Sequence, residues 1–437
     1  MLALDGSPLE SRLLRKGLQL HEGGIVHKGG NAVFFTGRDD PRVEAIVDWA
    51  CRERSAGLGV PCLEEKAPPI AGFVFVRGSI EARNTFDLDT FLPGSDIHFA
   101  RVGDASLSPS ALENLTAAFH TDPADVRDPA IDPTGTKMAF AMRHSRDRGH
   151  DLYELVLKTR SLRRLTDDAR PLPGGGMSTN RDPTYGPDGT LWFVSTRAGV
   201  TADAGRMLDA DLYEMDLATG TIRRRTYTPH VERKPVFFVY GEENGGEVAV
   251  SSLRDALGPQ ARGHSFRFPP GLATEYHQHF GITPVENLFY DIRELPDGRY
   301  VTIVGDLENV WESGRLAIVA RNFGPEIPAY AEQTPGMPFY SAPLVRLDAE
   351  ATSKGVTRGT YRDPVALPDG RLLVSYAAQT ATLSDSKAVF DFGIALVTID
   401  EALDGSGPRI VARTTLADAP GLADYDPEPV HVRRPPP

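Results

Sequence analysis

Only two of the 437 residues are cysteine, Cys51 and Cys62, eleven positions apart. That excludes a disulfide-dense scaffold; the pair either bridges in an exported protein or stays as two thiols, and the spacing leaves both open. No run of 18 apolar residues exists, so no helix spans a membrane. The opening stretch, MLALDGSPLESRLLRK, has neither an apolar core nor a small-residue cleavage site, so no export signal is read there. Positive charge is in deficit: 47 Lys and Arg face 60 Asp and Glu, a net charge of −13. A nucleic-acid partner needs a basic face, which this balance argues against. The nucleophile elbow G-x-S-x-G is missing too. The nearest string, GHSFR around Ser265, lacks the second Gly and no α/β pattern follows, which excludes an attached serine peptidase. PGGGMSTN, from Pro173, lacks the Lys of a phosphate loop and reads as a linker.

What is plentiful is glycine (42) and proline (35), as many short strands and tight turns require. They recur in a phrase. It reads RDPAIDPTGTKMAFAM from Arg127, RDPTYGPDGTLWFVST from Arg181 and RDPVALPDGRLLVSYA from Arg362, with a weaker copy, YDIRELPDGRYVTIVG, from Tyr290. In each an Asp (128, 182, 291, 363) precedes a Pro by five residues and a Gly by seven. Pro presets φ, Asp bonds nearby backbone and Gly supplies positive φ, so the phrase reads as strand, turn, strand. Two copies continue as DLYELVLKTRSLRRLT (from Asp151) and DLYEMDLATGTIRRRT (from Asp211), each a third strand, a turn and a polar fourth strand. Four antiparallel strands, repeated, are a propeller blade. The Arg-rich fourth strands, Arg160 to Arg164 and Arg223 to Arg225, read as solvated edges that discourage pairing between sheets.

The recurrent Asp steps by 54, 109 and 72 residues. The step of 109 holds two blades, with RKPVFFVYGEENGGEVAV from Arg233 as the degenerate copy. PPIAGFVFVRG and SDIHFARVG supply an earlier blade, and DPEPVHVRR, from Asp426, starts like another copy and stops. The expectation is an all-β protein: a β-propeller of six blades, or seven, with the segment from Asp426 returning to close the ring. The recurrent acids are read as turn residues, which argues against a glycosidase pair near the axis.

Residues 1–65 differ and read as a separate helical unit, with the propeller over 66–437. SPLESRLLRKGLQ is helical in pattern, with Ser7 as cap and Pro8 at the first turn. A Gly-rich loop follows, His21 to Gly30, and Asp40 with Pro41 starts a second helix whose apolar face is Val43, Ile46, Val47 and Trp49 or Ala50.

"SRLLRKGL…GGIVHKGGNAVFFTGRDDPRVEAIVDWA" resembles the distal half of a small c-type cytochrome domain. The resemblance implies a haem whose axial ligand stands at His27. The attachment motif C-x-x-C-H is absent from the chain, so a haem requires an attachment segment upstream of Met1. The order of parts, from this unit through "GFVFVRG", "PGSDIHFARV" and the repeats to "ADYDPEPVHVRRPPP", is similar to proteins built like the alpha subunit of hydrazine synthase. The blades also look like TolB-type repeats. The resemblance implies a bacterial protein of the periplasm or cell surface. Hydrazine synthesis itself is not expected, because the chain lacks the haem parts that the chemistry needs.

EYHQHFG puts His277 and His279 on one face of an extended segment, with Glu275 on the same face, where two imidazoles could share a divalent metal. That opens a metal-dependent hydrolase or lyase. His144 and His150, in RHSRDRGHD, are read as loop residues. The leading expectation is a binding or scaffolding module whose funnel takes a protein, peptide or small-molecule ligand. A redox protein with a haem held by an upstream segment is the alternative.

Overall fold

The computed structural model describes residues 12–18, 34–37, 40–58, 70–80, 88–201, 208–238, 248–254, 262–268, 277–280, 288–296, 299–305, 312–319, 344–348, 359–379, 389–400 and 408–433. The chain is dominated by strands, as its β-branched, aromatic and aliphatic runs require. Near the N-terminus, β1 (Gly72–Ser79), β2 (Asp96–Val102) and β3 (Pro109–Asn114) pair in order. Two sheets of four follow: β4 (Asp125–Ile131), β5 (Lys137–Arg143), β6 (Asp151–Val156) and β7 (Leu162–Arg164), then β8 (Asn180–Tyr185), β9 (Thr190–Ser195), β10 (Asp211–Asp216) and β11 (Ile222–Arg224).

The next sheet has eight strands. One half is β12 (Val231–Phe237), β13 (Val248–Arg254), β14 (Arg262–Phe268) and β15 (His277–Phe280); the other is β16 (Leu288–Glu294), β17 (Tyr300–Gly305), β18 (Arg315–Val319) and β19 (Leu344–Arg346). The halves join through one parallel pair, Gly263 with Leu288. The last sheet is β20 (Thr360–Ala366), β21 (Leu372–Ala377), β22 (Gly393–Asp400) and β23 (Arg409–Ala417). Finally β24 (Leu422–Val430) returns and pairs antiparallel with β1. The ring is thus closed by the strand that the sequence set aside for it.

By hydrogen-bonded sheets the propeller has five units among the described residues, fewer than the six or seven expected. The difference lies in the eight-stranded sheet. The inner strands touch in a cycle, β4–β8–β12–β16–β20–β24 and back to β4.

Burial follows radius. β5 and β9 are buried almost throughout, whereas β7 and β11 show their Arg side chains to solvent. These are the solvated, charged edges expected, and they are also paired internally: Arg163 reaches back to Glu154 at 3.0 Å and Arg164 to Asp151 at 2.5 Å. Between blades, Trp192 meets Phe237 edge-on at 5.2 Å.

The repeat's turn chemistry belongs to a different Asp from the one expected. Asp132, in the turn, accepts the amides of Thr136 and Lys137 at 2.7 Å, and Gly135 takes φ 69°. The recurrent Asp128 lies on β4, not in the turn. The reading of the recurrent acids as turn residues is therefore corrected: they sit on inner strands.

In the N-terminal region, α1 (Arg12–Arg15) and α2 (Pro41–Leu58) are helical. Asp40 caps α2 as expected, accepting the amides of Arg42 and Thr36 at 2.9 Å each. Leu14, Leu18 and Val43 form a small apolar cluster with Phe35, Ile46 and Val47; Ala50 is buried and Trp49 is half exposed. No helix among the described residues is long and apolar enough to cross a membrane.

Candidate functional site

The six inner strands share one irregularity. Their pairing slips after Arg127, Arg181, Arg233, Tyr290 and Arg362, and for β24 opposite Val74 to Val76. These are β-bulges, which re-aim a side chain. The next residue is left-handed each time: Asp128 (φ 54°), Asp182 (48°), Lys234 (48°), Asp291 (52°), Asp363 (49°) and Asp426 (51°). Asp tolerates that region better than most side chains do, yet each instance still stores about 1–3 kcal/mol of strain. Pro follows in all but Asp291, which Ile292 follows. A bulge leaves one residue outside the ladder, so a residue without an N–H costs nothing there.

These side chains surround the axis and knit neighbouring strands together. Asp128 accepts Arg181, with Nη2 at 3.1 Å, and also the Asp182 amide at 3.1 Å. Asp182 accepts Arg233 Nε at 2.5 Å and the Lys234 amide at 3.0 Å. Asp363 accepts Arg362 Nε at 2.7 Å and the Asp426 amide at 3.1 Å. So these three carboxylates each hold the backbone of the next bulge. Lys234 has no acceptor to offer its successor; there Ser251 Oγ takes the Asp291 amide at 2.9 Å. Glu312 joins Arg233 (2.8 Å) to Arg362 (3.2 Å) from the other side.

Lys234 crosses the axis. Its Nζ lies 2.6 Å from Asp426 Oδ1 and 3.6 Å from Asp363 Oδ1. Burial opposes the charged forms of Asp128, Asp363, Lys234, Asp291 and Asp426, and the partners prevail at the first three. Burial would raise Asp128 and Asp363, but Arg181 and Arg362 hold them below the usual carboxylate range. Burial would lower Lys234, but Asp426 and Asp363 hold it well above. Burial pushes Asp291 up to about 6 despite Arg293. Asp426 goes up as well, through burial and then Asp363, in spite of Lys234.

The ring floors a funnel of about 200 Å³. Its walls include Pro129, Pro183, Pro235 and Pro427 of the ring and Tyr185, Arg293, Glu428, His431 and Arg433. A smaller cavity of about 30 Å³ is bounded by Arg127, Arg181, Glu312 and Arg362; Asp128 and Asp426 border both, so the ring is the partition. Away from the axis, burial pushes Asp209 up to about 7, with Asp211 adding to it, and Asp211 up to about 6 against the pull of Arg224.

Of the residues singled out from sequence, His27 and its loop, Glu275 and Cys62 lie outside the described residues. His277 and His279 fall on β15, paired to β14, and their side chains are also outside. Among the described residues no three His, Cys, Asp or Glu side chains are grouped to hold a metal ion. His150 lies in the loop between β5 and β6, as expected, but not as a solvated residue. It is fully buried, with Nε2 3.4 Å from Asp125 Oδ2, and burial drives its pKa down to about 4. The axial ring was missed because its Asp residues were assigned to turns; the signal was the invariable Arg or Tyr before each one, which no turn needs.

No family model matches the chain, and no curated protein does. Among solved structures, hydrazine synthase of Kuenenia stuttgartiensis is similar at a TM-score of 0.60 and 19% identity. The match covers 84% of this chain and 48% of that one, so the chain spans about half the length of this relative. TolB from Acinetobacter baumannii aligns at a TM-score of 0.45 and 12% identity, over 89% of this chain and 73% of its own. At such identities the likeness is one of fold, and the chain is a β-propeller related in architecture to hydrazine synthase.

Proposed function

We propose that the chain is a binding module that takes a protein, peptide or small-molecule ligand in its axial funnel. One observation carries this reading: the funnel's floor is built of charges already paired within the protein. Asp128, Asp182, Asp363 and Asp426 are engaged by Arg181, Arg233, Arg362 and Lys234. A general acid or nucleophile must meet its substrate, and these groups are committed to each other. The ring organises a rigid, strained rim, and a rigid concave rim is suited to recognition.

With the reading go finer expectations. The eight-stranded sheet counts as two blades, which makes six; six left-handed ring residues and the cycle of six inner strands support it. The propeller occupies 66–437 and the helical unit 1–65. The protein works outside the cytoplasm, which the sequence resemblance supports; a reporter fused at Pro437 of the native gene that stays cytosolic would overturn that.

The binding role is tested by photo-crosslinking in the native cell. A crosslinker at His431, on the funnel wall, is expected to trap a discrete partner, and one at Leu112, exposed on β3, is not. No adduct at His431, or the same adducts at both places, would sink the reading.

A further inference from the structure

We propose that Lys234 is a tethered cation: it fills a cation site made by the axial carboxylates, plugs the axis and latches the closing strand. Five of the six bulges present Asp and β12 alone presents Lys. Lys gains nothing from a left-handed backbone, unlike Asp, whose short side chain bonds locally. The strain is retained because the side chain is needed at the axis.

Position supports this. In the cycle of inner strands β12 stands three places from β24 whichever way one counts. Lys234 on the one and Asp426 on the other therefore meet across the axis, at 2.6 Å. Asp363 on β20 adds a second contact at 3.6 Å. Lys234 itself is 6% exposed, far below what an unpaired lysine adopts. The other groups that act on the ammonium are Asp182 on β8 and Asp291 on β16. Three more act on Asp426: Asp363, Arg362 on the same strand, and Asp128 on β4. Each of Asp182, Asp291, Asp363 and Asp128 has an Arg partner of its own, and only Asp426 is left to the lysine.

Two consequences follow. The ring residues Asp128 and Asp426 separate the funnel from the smaller cavity, so the ammonium between the strands makes the funnel blind. The last strand to join the ring is also held from its far side, in addition to its ladder with β1. The proposal stands whether or not the funnel takes a ligand.

The test removes the ammonium and offers a replacement. Lys234→Ala is expected to lower the unfolding midpoint by about 5 °C, the scale for uncovering a buried charge in a chain of this length. Methylammonium is then expected to enter the vacated place and raise the midpoint by about 1.5–2 °C per tenfold increase in concentration beyond saturation. Wild-type protein should show no such rise. A folded variant indifferent to methylammonium, or a wild type that responds as strongly, overturns the proposal. Should Lys234→Ala not fold, Asp426→Asn tests the latch by hydrogen exchange. Amides of β24 should exchange at least tenfold faster while those of β5 hold; unchanged β24 protection overturns it.

Discussion

Arg233 Nε donates to Asp182 Oδ2 at 2.5 Å, and neither side chain reaches solvent. The two belong to successive inner strands, so the pair fastens β8 to β12 where a sheet hydrogen bond cannot. Removing one partner of such a pair leaves the other charge buried and uncompensated. Arg233→Met should therefore cost about 3–5 kcal/mol in urea unfolding. Arg233→Met combined with Asp182→Asn should cost less than the sum of the two. Strict additivity would show that the pair is not the fastening.

The lysine in the ring leaves its mark on a serine. Asp128, Asp182 and Asp363 each take the amide of the next bulge, but Lys234 offers no acceptor and Ser251 supplies one to Asp291. Ser251→Ala leaves that buried N–H unsatisfied, at about 1–3 kcal/mol. Ser251→Thr keeps the hydroxyl and should fall near wild type. Equal losses in both variants would point to packing instead of the hydrogen bond.

Much of this architecture was legible in the sequence. The Asp-Pro-Gly phrase gave the inner hairpins, and the Asp426 segment was recognised as the closing strand, because turn chemistry and alternation are local. The ring was not legible. Asp128 and Asp132 lie four residues apart and both look like turn acids, yet only Asp132 bonds the turn. What separates them is Arg181, 53 residues from Asp128, and pairing over that distance depends on how blades pack. The loop place of His150 was legible, but its burial was not, because that comes from Thr179 just before β8 and Asp125 on β4, both distant in sequence.

Two turn glycines with the same backbone should behave differently. Gly135 and Gly189 have φ of 69° and 74°, so alanine is strained at either, by about 1–2 kcal/mol. At Gly189 an added Cβ meets nothing within 4 Å, but at Gly135 it would come 2.9 Å from the carbonyl oxygen of His431, beside the closing strand. Gly135→Ala should thus cost about 1–3 kcal/mol more than Gly189→Ala. Chemical denaturation of the two variants side by side is the check, and equal costs would mean that the segment after β24 yields freely.

Asp209 should make stability depend on pH in a direction opposite to most carboxylates. Burial and the neighbouring Asp211 push its folded pKa up to about 7, against its ordinary 3.8. Between those values the folded state keeps a proton that the unfolded chain has released. Stability from this group is therefore full below about pH 4 and is lost as pH rises to about 7. His150 works the other way, since its folded pKa of about 4 lies below its ordinary 6.5 and its contribution is lost as pH falls through that interval. The two offset each other in the wild-type curve. Asp209→Asn removes one of them, so the variant should gain on wild type by roughly 1–2 kcal/mol between pH 4 and pH 8, after solvent screening is allowed for. Urea midpoints at four pH values read this directly. A variant curve parallel to wild type would show that Asp209 is ionised throughout and that Arg224, 3.7 Å away, outweighs its burial.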